Sequence, residues 1–335
     1  MRIVTVVDVA RRAGVSIATV SRVINNSKMV SGEKRARILE VMQELGYQPV
    51  IRENKNNHQI LILVSSITEL IEDVAAGILD AAKTMDHTPA LAISFTKQDA
   101  DSYQYAVKLL RIIPREMIYG IIFLNNMCGD SILWDEFQQY PLVQIGEYID
   151  TDPLLVVASN DTIAMKEMTE FLIRKGRKRF MLVSNHFGIS GQRYKFCLHR
   201  ETGFRLALEE AGIPFSKDMI IDTDYTPEGG MDAGRRIAGM KERPDAVLCV
   251  SDYIASGCIA GLQAQNIIIP SDIAVTGFDN REISEICRPA LTTVRQSFEE
   301  MGAEAFFMLS DLVSRRLKMG RTTYIQHSII ERDSA

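Results

Sequence analysis

The sequence predicts an all-α head of about 47 residues, joined by a short polar linker to an α/β body of two neighbouring parallel-sheet subdomains. Three observations predict it. The first 46 residues carry three apolar stripes at helical spacing and no strand-like alternation. From residue 60 onward, short apolar runs alternate with longer amphipathic ones, the pattern of strand–helix units in a parallel sheet. The length of 335 residues exceeds the ~100–200 residues of one ordinary domain, so more than one unit is needed. With 46% hydrophobic and 24% charged residues, the chain is neither disordered nor low-complexity.

In the head, Val6, Val9, Ala10 and Ala13 form the apolar face of a first helix, which Gly14 breaks. Ser16 stands where an N-cap is wanted before Ile17, and Val20, Val23 and Ile24 follow as the buried side of a second helix. A polar turn from Asn25 to Lys28 leads to Ser31, a second cap position. Ile38, Val41, Met42 and Leu45 then give a third helix closed by Gly46. Residues 48–59, with Pro49 at the start, read as linker. In the body, strands are expected at 60–64, 90–94, 120–124, 142–145, 180–184, 219–222, 246–250 and 273–276. Helices are expected at 71–85, 103–113, 163–175, 203–211, 230–240 and 253–265. That is too many units for one small sheet.

Charge is unevenly shared. Residues 1–58 carry ten Lys/Arg against five acids, a balance of +5, which leaves −10 on the remainder. A basic head on an acidic body suits a nucleic-acid-binding module fused to something else. No run approaches the ~18 apolar residues of a membrane helix, and the N-terminus lacks the apolar core and cleavage site of a secretory signal. Cys128, Cys197, Cys249, Cys258 and Cys287 form no CxxC pair, an odd and scattered set that fits thiols in a reducing cytoplasm. His58, His87, His186, His199 and His327 have no metal-ligand spacing, so no metal or cofactor is expected. The body has no GxGxxG after a strand, no phosphate-binding GxxxxGK[ST] loop and no nucleophile elbow, which argues against an enzyme; Gly229-Gly230 lacks the strand context of a phosphate loop.

The segment from Thr5 to Asn25 carries the sharpest signal. Val9, Ala10, Ala13, Val15 and Val20 can pack two helices together, and small Ala10 and Gly14 permit a close crossing. Ile17, Ala18, Ser21, Arg22 and Asn25 then occupy the outer face of the second helix. Ser16, Thr19, Ser21 and Asn25 are short polar groups suited to phosphate oxygens. Arg22 suits a bidentate pair with guanine, whereas Ile17 and Ala18 can read only thymine methyls or shape. With Val30-Ser31 and Gly46-Tyr47-Gln48-Pro49 behind it, the pattern D-V-A-x-x-A-G-V-S-x-A-T-V-S-R-V-x-N resembles the head of the LacI/GalR family of bacterial transcriptional repressors. The resemblance implies base reading by Ile17, Ala18 and Arg22. It implies further DNA contact by Thr5, Ser16, Thr19, Ser21, Asn25, Ser31 and Tyr47. It also implies a homodimer on pseudo-palindromic double-stranded DNA, in the cytoplasm and away from membranes.

The linker departs from that family. Its usual A-R-x-L hinge, whose Leu wedges into the minor groove, is here Val50-Ile51-Arg52-Glu53-Asn54-Lys55-Asn56-Asn57-His58, with Glu53 and Asn54 for Ala and Arg and Asn56 for Leu. An Asn is no apolar wedge and Glu53 repels phosphate, so minor-groove kinking is expected to be absent or altered.

The body also resembles the family, whose core is periplasmic-binding-protein-like, through R-x-x-G-F at Arg200 to Phe204, Pro244 to Asp252, Ile273 to Asn280 and Pro289 to Gln296. The implied fold has an N-subdomain of about 60–158 and 293–319, and a C-subdomain of about 159–292 and 320–335. The chain would cross between them near 158–161, 291–294 and 318–322. A carboxylate at a strand end, Asp279, can accept two hydroxyl hydrogen bonds, and Arg200 offers a planar fork. The implied effector site therefore comprises Arg200 and Asp279, with Ser251, Asp252, Gln296, Glu147 and Phe298, and takes a sugar or nucleoside. Gly146 stands where many sugar-responsive relatives have an acid. The stretch 185–199, with Arg193, Tyr194, Lys195 and His199, reads as a solvated loop near the cleft mouth; the alternative reading is a basic wall that favours an anionic or phosphorylated ligand.

Overall fold

A computed structural model describes residues 6–16, 19–20, 23, 30–45, 59–64, 70–87, 89–95, 108–124, 137, 139–146, 155–185, 195–314 and 320–335. The chain divides into two compact units, residues 1–57 and 58–335.

In the first unit, α1 (Val6–Ala13) and α2 (Gly32–Glu44) flank a short helical segment that includes Thr19, Val20 and Val23. Val9, Ala10, Ala13, Val20, Val23, Ile38, Val41 and Met42 close one small core. Gly14 turns the chain after α1 at φ +68°, a conformation open to glycine at no steric cost. Ser16 caps the second segment: its Oγ accepts from the Thr19 N–H at 3.2 Å. Ser31 holds the equivalent place before α2, but its side chain makes no capping bond.

The second unit contains two six-stranded sheets. The first uses β1 (Gln59–Val64), β2 (Ala90–Phe95), β3 (Ile118–Leu124), β4 (Leu142–Ile145), β5 (Leu155–Ser159) and β11 (Arg321–Ile325), in the order β11-β5-β4-β3-β1-β2. The second uses β6 (Phe180–Ser184), β7 (Ile220–Asp222), β8 (Ala246–Cys249), β9 (Ala274–Asp279), β10 (Thr292–Arg295) and β12 (Ser328–Ile330), in the order β12-β10-β9-β8-β6-β7. All described pairings are parallel except β10 with β12. Helices cover both faces, so central strands are apolar without alternation; Ile60 to Val64 is buried at every position. On the first sheet, α3 (Leu70–Thr84) packs against α9 (Phe298–Val313). On the second, α4 (Asp161–Arg174) pairs with α5 (Lys195–Glu210), and α6 (Pro227–Ala238) with α7 (Asp252–Gln263). The short helix α8 (Ile283–Ile286) follows β9.

Two of the expected crossings lie later than the sequence suggested. Thr293, Val294 and Arg295 pair with Gly277, Phe278 and Asp279, so they belong to the second sheet and the chain crosses at 296–297. Arg321 to Ile325 pairs with Leu155 to Ser159, which places it in the first sheet and the last crossing at 326–327. The first crossing runs through Asn160, between β5 and α4. Short strands carry no mark of which sheet they join; only their ladders decide it. The stretch 195–199 is likewise the first turn of α5, not loop. The first part of the helix expected at 103–113 lies outside the described residues, and 108–112 is helical.

The α6–α7 crossing depends on glycine. A Cβ on Gly257 would overlap the Pro227 carbonyl, and one on Gly230 would overlap that of Ile254. Gly257→Ala is therefore expected to destabilise the second unit by ~1–3 kcal/mol through overpacking, read as a thermal midpoint several degrees lower; an unchanged midpoint contradicts this packing.

Candidate functional site

Two surfaces matter, one in each unit. In the head, Ser16 is exposed and bonded to Thr19, its Oγ 2.8 Å from Thr19 Oγ1, and Ser31 is exposed at the start of α2. Thr5, Ile17, Ala18, Ser21, Arg22, Asn25 and Tyr47 lie outside the described residues.

In the core, strand carboxyl ends and one crossing converge on Arg200. Its side chain is almost wholly buried on α5, where Cys197, Gly203 and Phe204 face the same interior. Its Nε donates to Asp161 Oδ1 at 2.8 Å, its Nη1 to the Val250 carbonyl at 2.5 Å and its Nη2 to Asp279 Oδ1 at 3.4 Å. The guanidinium carbon sits 3.6 Å from the centre of the Phe278 ring. Asp279 also accepts from Gln296 Nε2 at 2.6 Å and from the Tyr225 hydroxyl at 3.4 Å. Asp279 closes β9, still paired with Arg295, at a φ of +101°. A buried guanidinium requires such company. Burial alone would lower the Arg200 pKa, but the carboxylates of Asp161 and Asp279 outweigh it and raise it. Burial raises the Asp161 pKa against the pull of Arg200. Burial, then the charge of Asp279, raises that of Tyr225, which stays a donor.

Beside this cluster is a cavity of about 300 Å³ between the two sheets, at the small end of the ~300–1,000 Å³ typical of ligand sites. Ala158, Ser159 and Tyr324 line it from strands of the first sheet, with Gly146 just beyond β4; Asn160 to Ile163, Lys195, Phe196 and His199 line it from the crossing and the second lobe.

The structure separates the expected effector residues. Arg200, Asp279 and Gln296 come together. Ser251 and Asp252 do not face the cavity: both are fully buried. Ser251 caps α7 by accepting from the Ile254 N–H, and Asp252 accepts from Thr293 Oγ1 at 2.5 Å and the Arg281 N–H at 2.6 Å. They join β8 to β9 and β10, which is scaffolding. Phe298 belongs mainly to the first lobe's core, with the Arg281 guanidinium over its ring at 4.8 Å. Glu147 lies outside the described residues. The sequence reading missed Asp161, Tyr225 and Arg281. For Asp161 a signal existed: an acid just after the Asn160 cap, at the end of an apolar strand.

A model of bacterial regulatory proteins of the lacI family matches residues 5–50, and one of a periplasmic binding protein-like domain matches residues 169–335. The regulator RegA of Clostridium saccharobutylicum is 30% identical over 98% of this chain and 98% of its own. The chain belongs to the lacI family. Among solved structures, a CelR–cellobiose complex superposes at a TM-score of 0.72 with 24% identity over 99% of this chain and all of its own. A Lac repressor dimer bound to operator and the anti-inducer ONPF superposes at 0.75 with 21% identity over 99% of both chains. This lacI-family member is thus a DNA-binding transcriptional regulator, not an enzyme. Regulators of this family bind operator DNA as dimers and answer to small-molecule effectors. Among the described residues no helix is long and apolar enough to cross a membrane, and no acid, His or Cys group would hold a metal ion.

Burial, then repulsion from Asp279, pushes Asp252 up to about 7 against the hydrogen bonds it accepts. An unfolded Asp loses its proton near pH 4, so between about pH 4 and 7 folding takes up a proton and stability falls as pH rises. Asp252→Asn should flatten that fall. Thermal midpoints at pH 5 and 8 test it; equal slopes in parent and variant contradict the raised pKa.

Proposed function

We propose that this regulator is a cytoplasmic homodimeric repressor whose affinity for a pseudo-palindromic operator is set by a small polyhydroxylated ligand, a sugar first and a nucleoside second. The observation that supports the reading is the Arg200–Asp161–Asp279 cluster beside an inter-lobe cavity. One guanidinium between two carboxylates leaves a net negative site, which accepts hydroxyl hydrogen bonds, while Arg200 and Gln296 keep further N–H groups for ring and hydroxyl oxygens. Cellobiose in the CelR complex is consistent with that chemistry. Ligands of open α/β sheets sit at strand carboxyl ends, which is where Asp279 and Val250 stand.

In the head, Arg22 reads guanine and Ile17 and Ala18 read methyls or shape. Thr5, Ser16, Thr19, Ser21, Asn25, Ser31 and Tyr47 hold the backbone. Ser16 and Thr19 do so from a side-chain pair that already caps their helix. The linker, with Asn56 at the wedge position, makes little use of minor-groove kinking. Lys195 and His199 on the cavity wall favour a second form of the same reading, a ligand bearing an acidic group.

Fluorescence anisotropy with a duplex selected from a random pool tests the division of labour. Arg22→Ala should lose preference for that duplex by ~1–3 kcal/mol, about 5- to 150-fold, and keep ligand binding. Asp279→Ala should keep the duplex and lose the response to ligand. Equal affinity of the Arg22→Ala variant and the parent for the selected duplex contradicts the head assignment; an undiminished ligand response in Asp279→Ala contradicts the cleft.

A further inference from the structure

Arg281 is the second buried guanidinium in the core, and the Arg200 cluster does not use it. It lies two residues beyond Asp279, on the turn between β9 and α8, and only 8% of it is exposed. Its N–H holds Asp252, while its side chain reaches the other lobe. Nη1 stands 3.5 Å from Asp73 Oδ2 in the first turn of α3, and the guanidinium covers Phe298 at the start of α9. Nη2 is buried with no hydrogen-bond partner. The countercharge around it is thin. Asp73 is half exposed and meets only Nη1, at 3.5 Å, and the Asp252 carboxyl accepts from Arg281 through the backbone rather than the guanidinium. A buried cation with an unused planar edge is a receptor for an oxyanion.

We infer that Arg281 is a ligand-binding residue of the cleft and that its Nη2 edge takes the acidic group, a carboxylate or a phosphate, of a sugar whose hydroxyls lie on the Arg200–Asp161–Asp279 cluster. This rests on the sugar reading above and narrows it to acidic sugars. The two ends of the site differ in charge balance. The Arg200 cluster carries one excess negative charge and suits hydroxyl donors, whereas Arg281 is balanced by a single, half-exposed acid on Nη1, which leaves its Nη2 edge to an anion that competes with Asp73. Because Arg281 touches α3 and Phe298 in one lobe while standing on the other, an anion bound there bridges the lobes. Effector charge thereby becomes a determinant of closure.

Calorimetric titrations of the full chain test this, with D-glucose and D-galactose each set against its own uronate and 6-phosphate, and with inorganic phosphate alone. The parent should bind at least one acidic member tenfold or more tightly than its neutral sugar; uronate and phosphate arms show which anion it takes. Arg281→Gln should bring that ratio near one and abolish phosphate binding. Asp73→Asn removes the competing carboxylate and should raise the ratio, and it decides the matter should Arg281→Gln fail to fold. Neutral sugars binding as tightly as acidic ones, or a ratio unmoved in both variants, overturns the role of Arg281 and leaves the sugar reading standing. Phosphate binding lost in Arg281→Gln with no sugar bound at all keeps the anion site and overturns the sugar reading. Binding of neither phosphate nor any sugar overturns both.

Discussion

A charge cannot be buried alone, and the core of this regulator is arranged around that constraint. The Arg200 guanidinium lies under the surface with Asp161 and Asp279 on two edges, the Val250 carbonyl on a third and the Phe278 ring beneath. Each partner arrives by a different route: Asp161 from the crossing that leaves β5, Val250 from the end of β8, Phe278 and Asp279 from the end of β9. Fixing one side chain therefore fixes the relative position of several strand ends. Either carboxylate alone still balances the cation, so one acid can be given over to a ligand while the other keeps the guanidinium paired in the fold. A second layer supports the first. Asp252, drawn in by Thr293 and the Arg281 N–H, holds β9 and β10 side by side, and Gly277 leaves the room that its carboxylate occupies.

The connections between the lobes lie next to this chemistry. Asn160 precedes Asp161, Gln296 donates to Asp279, and His327 lies 2.9 Å from Glu167 on α4. A ligand that shifts these groups acts close to the segments about which the lobes move. Such a ligand controls DNA only through differential affinity. Moving an equilibrium from 1:99 to 99:1 takes a ~10⁴-fold preference for one state, about 5.5 kcal/mol.

Much of this was legible in the sequence. The apolar stripe Val9, Ala10, Ala13 and the pair Val20, Val23 specify the head's core. The continuous apolar runs of β1, β3 and β4 specify buried parallel strands. Arg200 and Asp279 stood out as chemistry at a strand end and on a facing helix. Strand membership was less legible. Thr293 and Val294 look the same whichever sheet they join, and β11 is largely exposed, so it lacks the apolar signature of its neighbours. Burial of polar side chains was hidden as well. Ser251 and Asp252 have the composition of a binding motif, and only the bonds from Ile254, Thr293 and Arg281 show them occupied. Arg281 was missed for the converse reason: nothing in Asn280-Arg281-Glu282 distinguishes a surface arginine from one packed on Phe298 and facing Asp73.

The central claim is that the cleft and the head are two sites on one thermodynamic linkage. The most direct measurement is the ligand's dissociation constant on the full chain, taken by calorimetry with and without a saturating selected duplex, beside the duplex's constant with and without saturating ligand. The account predicts that the two ratios are equal and differ from one by at least severalfold, since coupling between sites is reciprocal. A ligand constant that is the same on free and duplex-bound protein would contradict it.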